Sequence, residues 1–261
     1  MLNALSAQRT LGRLARFPLK LVPPATVVPI LTGKLRGKKW ITGSAIHGCW
    51  LGFYEYEKQQ LVSREVRPST IFYDVGAHVG FYSLLASVLV GSGKVFAFEP
   101  LPRNLDYLRR HLALNCAANV DVLPVAVSDR TSTAAFRVEQ SSFMGCLSGE
   151  GGIVVPTATL DSLVESGRIL PPNYIKIDIE GSELLALQGA RETFQRYRPV
   201  LFLATHSRQI HNECCRLLES WGYECSLVGG RPLGDLREVI AKCNVVDDEN
   251  IARHPTIGGT A

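Results

Sequence analysis

The chain has 261 residues, 46% of them hydrophobic and 20% charged. That suffices for one ordinary domain with additions and excludes a disordered, collagenous or fibrous protein. The net charge of +4 divides unevenly: residues 1–54 hold eight Lys or Arg and no carboxylate, whereas residues 55–261 hold 20 basic and 24 acidic residues. No run of 18 apolar residues is free of charge, which argues against a transmembrane helix.

Leu2–Leu21 reads as a basic amphipathic helix, with Leu5, Leu11, Leu14 and Phe17 apolar and Arg9, Arg13 and Arg16 polar. Such a helix packs on its own domain, lies on an anionic membrane surface, or serves as an Arg-rich transit peptide. Residues 1–20 are therefore a candidate for peripheral membrane contact. Residues 22–54 are rich in Pro and Gly and carry Trp40, Trp50, Phe53 and Tyr54, an aromatic flap that packs a core or lines a pocket. The expected division is 1–54 as basic extension and flap, 55–246 as the main domain, and 247–261 as a tail. From residue 55 onward, helical periodicity over 55–66, 81–90, 103–115, 182–196 and 209–221 alternates with apolar strands at 71–75, 94–98, 120–125, 174–179, 199–205 and 223–228. Nearly continuous apolar strands between amphipathic helices predict a parallel sheet covered on both faces. Between Ser128 and Asn173 the alternation breaks: 134–138 and 153–155 suit extra strands around a Gly/Ser-rich loop at 141–152, and 159–166 suits a short helix. The seven cysteines (49, 116, 146, 214, 215, 225 and 243) are odd in number and form no C-x-x-C pair. The expectation is reduced thiols in a cytoplasmic protein, with no structural metal.

Three motifs carry chemistry. Asp74-Val75-Gly76-Ala77-His78-Val79-Gly80 follows a strand and opens a helix, so its glycines permit a tight turn and its amides are expected to face a nucleotide-like ligand. It is not a dinucleotide fingerprint, because G-x-G-x-x-G is absent. Glu99 ends the next strand 25 residues after Asp74, and an acid at that tip suits bidentate hydrogen bonding to two ribose hydroxyls. Third, period-two alternation in Tyr174–Glu183 puts Lys176, Asp178 and Glu180 on one face, opposite three isoleucines. Ligands of open parallel sheets bind at the carboxyl ends of strands, so these charges point to the same crevice as Gly76 and Glu99.

In this ordered set the chain resembles the FkbM-type S-adenosylmethionine-dependent methyltransferases. The resemblance rests on residues 72–80, 95–100, Ala126-Val127-Ser128-Asp129, Thr159-Leu160-Asp161-Ser162-Leu163, and 175–183 with Gly189-Ala190. It implies a class I methyltransferase fold, Rossmann-like α/β, with a seven-stranded mostly parallel sheet whose last strand is antiparallel. It also implies methylation at a hydroxyl oxygen of a sugar, glycan or natural product. Carried over by position, Asp74, Gly76, Ala77 and Gly80 hold the methionine part of S-adenosyl-L-methionine and Glu99 its ribose. Ala126 and Val127 lie near the adenine, and Asp178 near the sulfonium. His78 stands where the family more often has a small polar residue, and Phe202-Leu203-Ala204-Thr205-His206 lacks the Glu that the family often has near this His.

A hydroxyl acceptor must lose its proton, so a nearby base helps. Candidates are Asp178, Glu180 and His206, with Lys176 holding a carboxylate charged by pairing. The flap 40–54 and the loop 141–152 are candidate substrate lids. No metal is expected, and nucleic acid is not an expected partner. Two other classes stay open: a nicotinamide-dependent oxidoreductase on a similar sheet, and a non-catalytic cofactor-binding or membrane-recruited module.

Overall fold

The computed structural model describes residues 22–138, 145–147, 152–229 and 237–243. The expected helix at 2–21, the tail at 247–261 and most of the loop at 141–152 lie outside the described residues. The chain divides into two compact units, Met1–Tyr54 and Glu55–Ala261.

In the first unit, β1 (Val27–Pro29) and β2 (Lys39–Ile41) pair antiparallel, with Val28 opposite Trp40. A one-turn helix, α1 (His47–Leu51), follows and ends on Gly52. Trp40 and Trp50 are buried, whereas Phe53 is exposed. The Trp50 indole N–H donates to His47 Nδ1 at 3.1 Å, which gives the buried ring the polar partner it needs.

The second unit is built on a seven-stranded sheet. Its strands are β3 (Ile71–Val75), β4 (Lys94–Phe98), β5 (Val120–Leu123), β10 (Tyr174–Ile177), β11 (Val200–Thr205), β12 (Tyr223–Leu227) and β13 (Arg237–Cys243). They lie in the order β12-β13-β11-β10-β3-β4-β5. The pairs among β3, β4, β5, β10 and β11 are parallel, and β13 runs antiparallel to both its neighbours. This is the sheet the resemblance implies. Strand order reverses between β3 and β10, and open sheets of this kind bind ligands at that switch point.

The strands are apolar because both faces are covered: every residue of β3 and of β10 is buried. Pairing register sorts the side chains. Tyr174 stands opposite Phe72 and Lys176 opposite Asp74, so these four share one face. Glu238 stands opposite Ala204 on that face as well, whereas Thr205 and Arg237 pair on the other. That other face carries the main core of Tyr73, Ile175, Ile177, Leu201 and Leu203 with Cys214 and Leu218 from the helix that follows β11. Each fully buried aliphatic or aromatic side chain there stabilises the fold by about 1.5–3 kcal/mol.

The helices of this unit are α2 (Tyr56–Glu65), α3 (Phe81–Val90), α4 (Pro102–Leu114), α5 (Leu160–Glu165), α6 (Glu183–Gln188), α7 (Arg191–Tyr197) and α8 (Arg208–Ser220). One expectation is corrected here: the single helix at 182–196 is two, broken at Gly189-Ala190. A Cβ on Gly189 would stand 2.0 Å from the Ser128 carbonyl oxygen, so the chain passes too close for a side chain. The Asp161 carboxylate then accepts from the Glu192 and Thr193 amides and the Thr193 hydroxyl at 2.7–3.0 Å. It caps the start of α7 from a distant helix. Thr159 caps α5 itself through Ser162 N at 3.0 Å.

A second sheet, β6-β9-β7-β8, fills the interruption. Its members are β6 (Ala126–Val127), β7 (Ser132–Val138), β8 (Gly145–Leu147) and β9 (Ile153–Ala158). Two further corrections follow. The strand expected at 120–125 ends at Leu123, and part of the expected loop at 141–152 is strand β8. Strand β13 has no counterpart among the strands read from the sequence pattern.

Candidate active site at the strand tips

The turn after β3 is shaped by close approach. Gly76 has φ +77°, and a Cβ there would lie 2.0 Å from the Asp178 carbonyl oxygen. Glycine is therefore required by both dihedral and space. Its amides do not point outward as expected: Gly76 N and Ala77 N both donate to Phe98 O, at 3.0 and 2.9 Å, and Gly80 N donates to Ala77 O at 2.8 Å. The turn is stitched to the tip of β4, and the amides of Gly76, Ala77 and Gly80 are consumed in that stitching.

Glu99 completes it. Its Oε2 accepts from His78 N at 2.9 Å, and its Oε1 accepts from Leu101 N at 2.9 Å and Asn104 Nδ2 at 3.2 Å. Two carboxylate oxygens offer about four lone-pair positions, so room for a further donor is on Oε2. Burial raises the Glu99 pKa to about 7, against the opposing pull of these hydrogen bonds and of Lys176.

The fold places Asp74 and Lys176 side by side. Lys176 Nζ lies 3.1 Å from Asp74 Oδ1 and donates to Gly76 O at 3.0 Å. Asp74 Oδ2 accepts from Ser83 Oγ at 2.7 Å. Asp74 is fully buried and Lys176 nearly so, an arrangement tolerable only because each charge is paired and hydrogen-bonded.

Asp178 lies on the Lys176 side, where it meets Lys58 as Glu238 does, whereas Glu180 lies beyond β10, which ends at Ile177. A turn with Glu180 at φ +53° and Gly181 at φ +97° brings Glu180 beside Asp178 at His206, on the tip of β11. His206 Nε2 lies 3.5 Å from Asp178 Oδ1 and 3.4 Å from Glu180 Oε2, and Nδ1 lies 2.7 Å from Glu183 Oε1. Glu183 is fully buried and also accepts from Gly181 N at 3.0 Å. A carboxylate accepts, so Nδ1 carries the hydrogen toward Glu183, and Nε2 faces Asp178 and Glu180. Burial pulls the His206 pKa down, but the Glu183 hydrogen bond and the charges of Asp178, Glu180 and Glu183 outweigh it and hold it above the ordinary value. Asp178, Glu180 and His206 each offer one ligand atom within 4.8 Å of the others, a cluster of metal-ligand type that sequence spacing does not reveal.

Sequence reasoning missed Lys58, Glu55 and Glu238. Lys58 Nζ meets Glu238 Oε1 at 2.8 Å, Glu55 Oε2 at 2.9 Å and Asp178 Oδ2 at 3.1 Å. Burial works against the charge on Lys58, yet Asp178, Glu55 and Glu238 outweigh it and hold its pKa well above the usual lysine value. Asp178 answers in kind: burial would raise its pKa, but Lys58, then Lys176 and His206, keep it well below the carboxylate range. The carboxylate that Lys176 pairs with is Asp74, while Asp178 is held ionised mainly by Lys58. A signal existed: Lys58 falls on the same helical stripe as Leu61 and Val62, and a lysine on an apolar stripe needs a partner. Both lysine Nζ atoms lie 5.5 Å from the Tyr82 ring centroid, which adds cation–π attraction.

Ala126 and Val127 sit in β6, paired with Thr157 and Ala158 of β9. Both are buried, and Ala126 packs with Val155 and with Leu101, which lies two residues past Glu99.

A family model described as the methyltransferase FkbM domain matches residues 74–225. The chain belongs to this family. Its matched segment runs from Asp74 through Cys225 and so takes in Glu99, Lys176, Asp178, Glu180 and His206. Hexuronic acid methyltransferase AglP of Haloferax volcanii is 30% identical over 143 residues, 54% of this chain and 58% of that protein. The chain therefore spans little more than half the length of that relative. Among solved structures, an FkbM methyltransferase of Methylobacillus flagellatus is similar at 20% identity and TM-score 0.47, covering 76% of this chain and 55% of that one. A SAM-dependent methyltransferase of Aquifex aeolicus is similar at 15% identity and TM-score 0.44, covering 71% and 88%. The family match does not favour the nicotinamide-dependent alternative. No helix among the described residues is long and apolar enough to cross a membrane.

Proposed function

We propose that this protein transfers a methyl group from S-adenosyl-L-methionine to a hydroxyl oxygen of a sugar or glycan. The observation that carries the reading is the charge balance at the switch point. Glu55, Asp74, Asp178, Glu180, Glu183 and Glu238 surround Lys58, Lys176 and His206 at the tips of β3, β10 and β11, in a network of contacts between 2.7 and 3.5 Å. Carboxylates outnumber cations there, which suits a cationic sulfonium ligand. The family match and the relative named for hexuronic acid support the same class of reaction and acceptor.

S-adenosylmethionine fits the residues present: when bound it supplies an electrophilic methyl group, and Glu99 retains acceptor capacity on Oε2 for a ribose hydroxyl. The rest of the work belongs to the chain. Asp178, held ionised by Lys58, lends negative charge beside the cofactor. His206 takes the acceptor proton at Nε2 while Glu183 fixes the tautomer through Nδ1. The rigid strand tips hold the acceptor in line, and such alignment accounts for a large part of the rate.

The test is to incubate the full chain with S-adenosylmethionine and a panel of sugars and glycans and to read products by mass spectrometry. The expected product gains one CH2 unit on oxygen. Retention of a nicotinamide cofactor by the purified protein, with no methylated product, would overturn the reading.

A further inference from the structure

On the sheet face opposite Lys58, the tips of β11 and β13 meet the start of α8 in an open cleft of about 370 Å³, lined by Arg208, His211, Asn212, Leu227 and Arg237. Its construction follows from register. Thr205 stands opposite Arg237, and the Thr205 hydroxyl donates to Arg237 O at 3.2 Å and lies 3.3 Å from His211 Nδ1. His206 and Ser207 alone separate Thr205 from Arg208, so the cleft adjoins the proposed base along the chain.

The cleft is strongly cationic. Among the described residues, neither the exposed Arg208 guanidinium nor the half-buried Arg237 guanidinium has a carboxylate in ion-pair contact, whereas the buried or half-buried Lys58, Lys94 and Lys176 do. His211 feels the result: burial, and then the Arg237 charge, push its pKa below the ordinary histidine value. Two guanidinium forks with an amide beside them present the donor geometry that recognises a planar carboxylate or a phosphate. The volume falls within the range of small-molecule sites and takes a monosaccharide.

We propose that this cleft binds the anionic substituent, a carboxylate or a phosphate, of the sugar whose hydroxyl is methylated. Arg208 and Arg237 grip the anion, Asn212 adds a donor, and exposed Leu227 supplies an apolar edge for the ring. The inference rests on the methyltransferase reading and adds to it the charge of the acceptor. It also separates two tasks in space: the acid-rich face receives the sulfonium, and the basic face receives the acceptor's charge.

The test titrates the full chain with glucuronate, glucose 1-phosphate, glucose and inorganic phosphate, with S-adenosylhomocysteine affinity measured in parallel. At least one anionic sugar is expected to bind about tenfold or more tighter than glucose, as charge-assisted forks require. A preference for glucuronate assigns a carboxylate, and a preference for glucose 1-phosphate assigns a phosphate. The double variant R208Q/R237Q should lose the preference and R208K/R237K should keep part of it, while both keep the parent's S-adenosylhomocysteine affinity and circular dichroism spectrum. Equal binding of charged and neutral sugars, inorganic phosphate binding as tightly as the anionic sugars, or an undiminished preference in R208Q/R237Q would overturn the proposal. Failure of S-adenosylhomocysteine to bind would instead count against the methyltransferase reading, whatever the sugars do.

Discussion

Glu99 couples cofactor binding to pH. Burial places its pKa at about 7, whereas a ribose hydroxyl donating to Oε2 requires an accepting carboxylate and stabilises the ionised form. Cofactor binding below neutrality should therefore release a proton from Glu99. With a pKa of about 7 in the free protein, the carboxylate is about one-tenth ionised at pH 6 and about nine-tenths ionised at pH 8. The dissociation constant should weaken about tenfold on going from pH 8 to pH 6, or about 1.4 kcal/mol. Isothermal titration with S-adenosylhomocysteine in buffers of different ionisation enthalpy reads both the affinity and the proton. Glu99→Gln should bind more weakly at pH 8 and lose most of the slope. The same residue affects stability with a fixed sign. A carboxylate whose folded pKa is raised contributes stability that is present below its unfolded pKa of 4.5 and lost as pH rises through the folded value. Here the loss is about 3 kcal/mol between pH 4.5 and 7. Glu99→Gln should accordingly lack this loss of stability between pH 4.5 and 7. An affinity flat between pH 6 and 8, or an unchanged slope in Glu99→Gln, would refute the reasoning and move any titration to His206.

Lys58→Met should destabilise the fold by about 3–5 kcal/mol, because it strands the Glu55, Asp178 and Glu238 carboxylates without their shared cation; a loss under 1 kcal/mol in chemical denaturation would show the cluster to be well solvated. Gly76→Ala should be more damaging than Gly80→Ala, since the first drives Cβ into the Asp178 backbone carbonyl and the second into the movable Cδ1 of Leu108. Thermal melting and cofactor titration of the two variants check that order. The rising limb of kcat/KM with pH should lie above pH 6.5, where His206 loses its proton, and Glu183→Gln should move it down by removing the partner that holds the proton on. A limb unmoved in Glu183→Gln, or persisting in His206→Gln, would remove His206 as the base.

The sequence shows the scaffold most clearly where both faces of a strand are buried. Ile71–Val75, Phe81–Val90 and Lys94–Phe98 are bounded alike by pattern and by structure. Strand β13 escapes the pattern because Arg237 and Glu238 put charges on opposite faces, one toward the cationic cleft and one toward Lys58, so no period-two alternation survives. The helix break at Gly189 is invisible for another reason: it depends on the Ser128 carbonyl, 61 residues earlier in the chain. In the site, alternation does not reveal the pairing of Lys176 with Asp74, which comes from register on neighbouring strands. Alternation also fails for Glu180, which reaches His206 through a left-handed turn beyond the strand. Lys58 and Glu238 join the cluster from elements 120 and 60 residues away from Asp178, distances over which local pattern carries no information.

The most direct test supplies S-adenosylmethionine labelled in its methyl group to the full chain together with neutral and anionic glycans, and follows the label. Transfer to a sugar oxygen, abolished in His206→Ala and strongly reduced in Asp178→Asn, is the predicted result. Tight, stoichiometric binding of the cofactor with no label in any glycan, sugar or sugar derivative would contradict it and would make this site a binding module built on a methyltransferase fold.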